Sequence, residues 1–415
     1  MLSASEFMQT YKPAGTAGWD RASAVIGIME DVRKNGDEAL VRYTRQFDGD
    51  GTAVREIPAE ELKTAFDALP DELRKALVTA RENIESYQRK IKWKAALPDG
   101  VYPVYHPIRR AGIYVPGGKA NYPSTVLMTA VPAKVAGVES ITVVTPPPGS
   151  PVTLAACHLC GVDRVFTVGG VQAIAALAYG TETIPAVDKI AGPGNAYVAL
   201  AKKLVYGDVG IDSVAGPSEL AIVVDAQSNA EWAALDLLAQ AEHDENARTY
   251  LISLDRSKLA EVEQFVKELS ETAPRKAIIL ESLRNNHWAV LAQSRAEAVG
   301  LLNRIAPEHA AIQTADAEEY ASVVTNAGAL FIGAYSPEAV GDYSAGPSHV
   351  LPTGGNARFQ SGLSVNDFLT ANAVIRVSPD EYGRLAGAGI PIAEAEELYA
   401  HAASMQARLN EGRDE

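Results

Sequence analysis

Residues 140–170 read SITVVTPPPGSPVTLAACHLCGVDRVFTVGG. The opening SITVVTPP is a short apolar run rich in β-branched residues and closed by prolines, which is how a strand reads. PVTLAACHLCGV, 151–162, reads as a helix ended by Gly161. DRVFTVGG, from Asp163, is a second run of the first kind. Strand, helix and strand follow one another, and both strands are apolar almost throughout. A strand with one wet face would alternate, so this pattern signals a parallel sheet covered on both faces.

The same alternation extends in both directions. AGIYVP (111–116), VDKIAGPG (187–194) and SELAIVVD (218–225) are strand-like. PSTVLMTAVPAKVAGV (123–138), VQAIAALAYGTE (171–182) and NAYVALAKKLVYG (195–207) are the helices between them. A second block follows: helix 231–247, strand TYLISLD (249–255), helix 257–269, then strands AIILES (277–282), AAIQTA (310–315) and ALFIGAY (329–335). Before Arg110 the spacing is helical. One stretch, 22–49, breaks at Gly36 and Gly49, and 59–92 gives two helices split around Pro70. After about residue 365 come polar turns and one helix, 392–410, too short to hold a core of its own. The expected class is α/β, with two α/β units.

Composition bounds the function. The chain has 415 residues, 47% of them hydrophobic and 21% charged, and a net charge of −15. Two or more domains are expected at this length. The acidic balance argues against a nucleic-acid binder, which needs a basic face, and against adhesion to anionic membrane. No run of apolar residues is long enough to span a bilayer, and the N-terminus lacks the basic and apolar regions of a signal peptide. The expected location is cytoplasmic. The two cysteines, Cys157 and Cys160, lie at i and i+3 in ACHLCG. A C-x-x-C can be redox-active or half a zinc site, but there is no second pair, and buried thiols are the better reading.

Polar constellations then stand out. RIAPEH, 304–309, sets Glu308 beside His309 after a proline. Glu and His are the usual acid–base residues near neutral pH, although such a dipeptide also occurs as ordinary surface. QAEHD, 240–244, puts Gln240 and His243 on one helical face, as two metal ligands or as a polar helix end. GDYSAGPSHVLPTGG, 341–355, carries Asp342 and His349 in a Gly- and Pro-rich loop. EELYAH, 396–401, carries Glu396 and His401 five apart on the last helix. GPGN (192–195) and AGPSE (215–219) lie at strand–loop boundaries, where glycine lets backbone approach a ligand. No G-x-G-x-x-G follows a strand, so the dinucleotide fingerprint is missing. Four of the seven histidines, 243, 309, 349 and 401, keep this polar company, whereas His106, His158 and His287 do not. A single shared site follows, suited to zinc with an acid–base pair.

These stretches also carry a resemblance. GDEAL, YVPGG, YPSTVLM, PAKVAGV, VGGVQAIAALAYGTETIPAVDKIAGPGN, AGPSE, QAEHD, APEH, GDYSAGPSHVLPT, SGLSV and AEELYAH occur in this order from about Ala22 to Arg408. The chain resembles the histidinol dehydrogenase family, zinc- and NAD-dependent enzymes that end histidine biosynthesis by oxidising an amino alcohol to an acid. The resemblance implies zinc ligands at Gln240, His243, Asp342 and His401. It implies catalysis by Glu308 and His309. Substrate contacts would fall on Ser218, His349 and Glu396, together with the ligands and Glu308. Dinucleotide contacts would fall on Tyr114, Gln172 and Asn195, since this family holds NAD without the usual glycine pattern. It further implies two Rossmann-like α/β domains with parallel sheets and small helical terminal segments. Their bounds would be a segment 1–18, a discontinuous domain 19–113 with 220–366, an inserted domain 114–219, and a segment 367–415 that completes the site of the partner in a homodimer. Three positions depart from the family's habit: Ser348 stands where Asn is usual, Glu397 where Gly is usual, and Ala310 where Leu is common. The implied substrate is histidinol, with another small polar alcohol, such as a sulfonated diol, as the alternative. A non-catalytic zinc- or nucleotide-binding protein is the remote third reading.

Overall fold

The computed structural model describes residues 1–13, 19–49, 53–95, 100–117 and 121–410. The expected segment 1–18 is thus described to residue 13, and Gly118 of YVPGG lies outside the described residues. The chain forms two compact units, Met1–Lys92 with Pro107–Phe368, and Trp93–His106 with Leu369–Glu415.

Thirteen strands are described: β1 (Leu2–Ser3), β2 (Val101–Pro107), β3 (Arg110–Tyr114), β4 (Ser140–Thr145), β5 (Arg164–Thr167), β6 (Lys189–Ala191), β7 (Gly210–Ile211), β8 (Glu219–Val224), β9 (Arg248–Ser253), β10 (His287–Leu291), β11 (His309–Ile312), β12 (Ala329–Ile332) and β13 (Leu369–Ile375). The first unit holds two sheets, ordered β5-β4-β3-β6-β7 and β1-β10-β9-β8-β11-β12. Every pairing in both is parallel, as the continuously apolar runs predict. In β8 all six residues are buried. Its alternate side chains feed two cores: Leu220, Ile222 and Val224 meet Leu237 and Leu238 of the helix Ala230–Ala241, while Ala221 and Val223 face Leu301 and Leu302 of the helix Arg295–Ile305. Each fully buried Val, Leu or Ile side chain among these contributes roughly 1.5–3 kcal/mol.

The N-terminal helices behave as read. Ala22–Asp48 is interrupted at Gly36, which has a φ of 49°, and is capped by Gly49. Ala59–Asp67 and Asp71–Ile91 flank Pro70. Val25, Met29, Val32 and Leu40 share a core with Ile174, Leu177 and Val205 over the five-stranded sheet. Residues 22–48 therefore pack with that sheet, whereas the expected division set them beside 220–366.

Three expectations need correction. AIILES is not a strand but part of the helix Lys276–Asn286; the strand is the HWAVL that follows. The stretch 392–410 is not one helix. Pro379–Ala395 and Tyr399–Asn410 are separated by a turn in which Glu397 has a φ of 59°. Glu396 and His401 therefore do not share a helix. The turns after residue 365 also include β13, which pairs with β2. In this second unit Arg376 N–H donates to the Gly100 carbonyl and the Thr370 hydroxyl to that of His106, so the two strands run oppositely.

Candidate active site

His309 opens β11, and Ala306 in a left-handed turn (φ 49°) carries the chain from the preceding helix into it. Strand alternation then points His309 to the face covered by the helix Ala230–Ala241, and sends Ala310 into the opposite core. The ring is 3% exposed. Its Nδ1 lies 3.2 Å from the Glu219 carbonyl, 3.2 Å from Gln240 Oε1, 3.5 Å from Glu338 Oε1 and 4.0 Å from Glu308 Oε2. The Glu219 carbonyl can only accept, so Nδ1 carries the proton. Nε2 then holds the lone pair. It has no hydrogen-bond partner and faces Asp342 Oδ1 at 3.7 Å. Burial pushes the ring's pKa down to about 3, and His243 and His349 add to this.

Glu308 is the reverse case. Burial drives its carboxyl far above the usual range, and the Asp342 and Glu219 charges act in the same direction. Its Oε2 accepts the Glu219 N–H at 3.1 Å. The tight turn before β11 thus separates two neighbouring side chains into a neutral base and a buried acid, which is how one site obtains two proton-transfer groups.

Gln240 lies in the last turn of its helix and His243 just beyond it, with the His243 N–H bonded to the Gln240 carbonyl. His243 is exposed at the surface of the chain, yet close enough to affect both His309 and His349. Asp342 is on the short helix Glu338–Tyr343 rather than in a loop, and burial raises it to about 7. His349 is in the following loop, its Nδ1 3.0 Å from the Asp342 carbonyl. Together His309, Asp342, Ser348 and His349 line a cavity of about 710 Å³. Ser218, Gln240, His243, Glu308, His309, Asp342 and His349 all belong to the first unit. Glu396 and His401 belong to the second, where both are exposed.

Sequence reading missed Glu338, which is 2% exposed and has an unpartnered Oε2. Its signal was available: Glu338 and Asp342 are i and i+4, on one helical face. His287, which the sequence leaves outside the shared site, has its ring flanked by Thr249 and Glu263, each at 2.8 Å.

The other candidate residues collect at the five-stranded sheet. From β3 the order moves through β4 to β5, then returns to β6 on the other side of β3. The carboxyl ends of β3 and β6 thus border the switch point at which open α/β sheets bind ligands. Tyr114 ends β3, and its hydroxyl accepts the Gly170 N–H at 3.1 Å, at the start of the helix carrying Gln172. Gln172 is buried with an unpartnered Oε1. Asn195 caps the helix Ala196–Val205, accepting the N–H groups of Tyr197 and Val198.

Of the three departures, Ala310 is in the core, Ser348 lines the cavity, and Glu397 is in the turn of the second unit. The Ser348 hydroxyl is engaged with the Met128 carbonyl and the Val350 N–H. Among the described residues no three His, Cys, Asp or Glu side chains converge to hold a metal ion, and no helix is long and apolar enough to cross a membrane.

Comparison with known proteins agrees with the fold and the motif order. Residues 15–409 match the sequence profile of histidinol dehydrogenase. The histidinol dehydrogenase of Staphylococcus saprophyticus is 49% identical over 97% of this chain and 96% of its own, and that of Staphylococcus epidermidis 48% identical over 98% and 100%. The crystal structure of histidinol dehydrogenase from Elizabethkingia anophelis superposes with a TM-score of 0.94 at 34% identity, covering 99% of this chain and 97% of that one. Identity of this extent over nearly the whole length makes the chain a member of the histidinol dehydrogenase family.

Proposed function

We propose that the chain oxidises L-histidinol through L-histidinaldehyde to L-histidine, using two NAD in turn and one zinc ion per subunit. The observation that carries the proposal is the His309 environment, in which a ring held at Nδ1 by the Glu219 carbonyl and Gln240 Oε1, with Glu308 on that same side, presents a bare Nε2 toward Asp342. Two successive oxidations need two proton acceptors, one for the alcohol and one for the water that adds to the aldehyde. His309 Nε2 takes the hydroxyl proton. Glu308 takes the proton of the water, and its raised pKa makes it a strong base once ionised. Ser218, His349 and Glu396 hold the substrate, and Tyr114, Gln172 and Asn195 hold the dinucleotide at the switch point.

The donors fit zinc. Gln240 and Asp342 offer oxygen and His243 offers nitrogen, the atoms such ions take. The set is completed by His401 of the partner subunit, with the segment 367–415 crossing a homodimer interface. A single chain then supplies Gln240, His243 and Asp342 to the set. When bound, zinc supplies a Lewis acid and NAD a hydride acceptor. The same reading makes the protein a cytoplasmic enzyme.

The test is NADH production from L-histidinol and from other small polar alcohols, a sulfonated diol included, with and without added zinc. Two NADH per histidinol, lost on chelation, are expected; turnover of another alcohol alone would reassign the substrate. His243→Ala should lose zinc and activity together, because each ligand contributes directly to affinity. A variant that keeps its metal and its turnover would remove His243 from the ligand set.

A further inference from the structure

Behind the Gly192–Asn195 turn lies a buried ion pair that the proposed chemistry does not use. The Lys202 and Asp212 side chains are each 2% exposed and in direct contact. Lys202 is on the helix Ala196–Val205 that leaves the turn, and Asp212 directly follows β7. The pair closes on one residue from two sides. Lys202 Nζ donates to the Gly192 carbonyl at 2.8 Å, and Asp212 Oδ2 accepts the Gly192 N–H at 2.7 Å. Asp212 is itself held, its Oδ1 by the Ser213 N–H at 2.6 Å and its carbonyl by Gln360 Nε2 at 2.7 Å.

Gly192 is where β6 ends, beside β3. Its φ is 114°, and a Cβ there would stand 2.1 Å from the Tyr114 carbonyl. No side chain fits, so the chain at this point can be steered only through its peptide groups. A buried ion pair is weak evidence for stability by itself, since desolvating two charges offsets much of their attraction. What an ion pair adds is fixed geometry, here at the switch point.

We infer that Lys202 and Asp212 are positioning residues of the dinucleotide crevice, clamping Gly192 so that the turn to Asn195 and the helix start behind it are set before the dinucleotide arrives. Pre-set geometry lowers the ordering cost of binding. The inference rests on the proposal that Tyr114, Gln172 and Asn195 hold NAD.

The test compares the whole enzyme with Lys202→Met, Asp212→Asn and the double variant Lys202→Met/Asp212→Asn. The single changes strand one buried charge and can unfold the chain; the double removes both charges and keeps the shape. NADH binding is read by fluorescence titration without substrate, and KM is measured for NAD and for the amino alcohol. The double variant should bind NADH about tenfold more weakly, the factor set by one net hydrogen bond. KM for NAD should rise with it, while KM for the amino alcohol and the zinc content hold. A folded double variant that binds NADH like the parent overturns the clamp. So does one whose two KM values rise together, because that marks a merely structural role. Asn195→Ala separates the two ideas. If it weakens NADH binding and the double variant does not, the clamp alone is wrong; if neither does, the placement of the dinucleotide falls as well.

Discussion

At the scale of the residue, Glu308 and His309 are adjacent in sequence but differ in their surroundings, and their roles should separate. Glu308→Gln should mainly slow aldehyde oxidation, since an amide cannot accept the water's proton. His309→Asn should slow the alcohol step as well. Losing a general base costs about 10²–10⁴ in rate. Single-turnover NADH formation, started once from the amino alcohol and once from the amino aldehyde, distinguishes them; equal losses throughout would mean that the two act as one unit. Both variants should fold, because each nearly preserves size and polarity. Glu397 carries a different consequence. It occupies a left-handed turn (φ 59°), a conformation that favours glycine. That conformation costs an L-residue about 1–2 kcal/mol, part of which glycine returns as chain entropy. Glu397→Gly should therefore raise the denaturation midpoint slightly, and a lowered midpoint would show that the Glu397 side chain has a stabilising role that outweighs the strain.

At the scale of the element, the helix Ala230–Ala241 carries a half-buried acid, Asp236, one turn before Gln240. Burial pushes Asp236 up to about 6 from an ordinary 3.8, opposed by a 2.7 Å bond from Gln313 Nε2. Between those values the folded chain holds the proton more tightly than the unfolded one. The stability this gives is full below about pH 4 and is lost as pH rises through about 6. Asp236→Asn keeps an acceptor for Gln313 and removes the titration. Its melting temperature should exceed the parent's above pH 7 and converge with it near pH 4; two parallel curves would mean that Asp236 is not raised. The elements themselves were mostly legible in the sequence. β4, β5 and β8 read correctly because strands covered on both faces leave unbroken apolar runs. AIILES misled because its apolar run is too short to display a period. In the helix only Ile279 and Ser282 are buried, three apart, which is helical spacing. The Glu308–His309 pair, Gln240, His243, Asp342 and His349 were legible as polar residues in Gly- and Pro-rich or helix-end company. Glu338 was legible only through its i, i+4 spacing with Asp342, and the Lys202–Asp212 pair was not legible. The meaning of that pair lies in what it faces, and spacing alone does not give that for residues 10 apart in the chain.

At the scale of the whole molecule, the acid–base pair stands at the amino ends of β8 and β11, and the proposed dinucleotide crevice at the carboxyl ends of β3 and β6. The proposed ligand His401 lies in the other unit. If it serves the partner's site, inactive His243→Ala and His401→Ala chains should regain some activity when mixed, because a mixed dimer holds one site free of both lesions. No recovery after demonstrated subunit exchange would mean that each site is built within one chain. The cysteines bear on the molecule as a whole in another way. Cys157 and Cys160 are the only two, both buried and free, and burial raises Cys160 to about 12 and Cys157 well above its ordinary value. At pH 8 only about one Cys160 in ten thousand is then a thiolate, the form that reacts. An alkylating reagent must wait for the helix Pro151–Leu159 to open. The rate at which the native protein takes up label is therefore a clock for the opening of its core, read without altering a single residue.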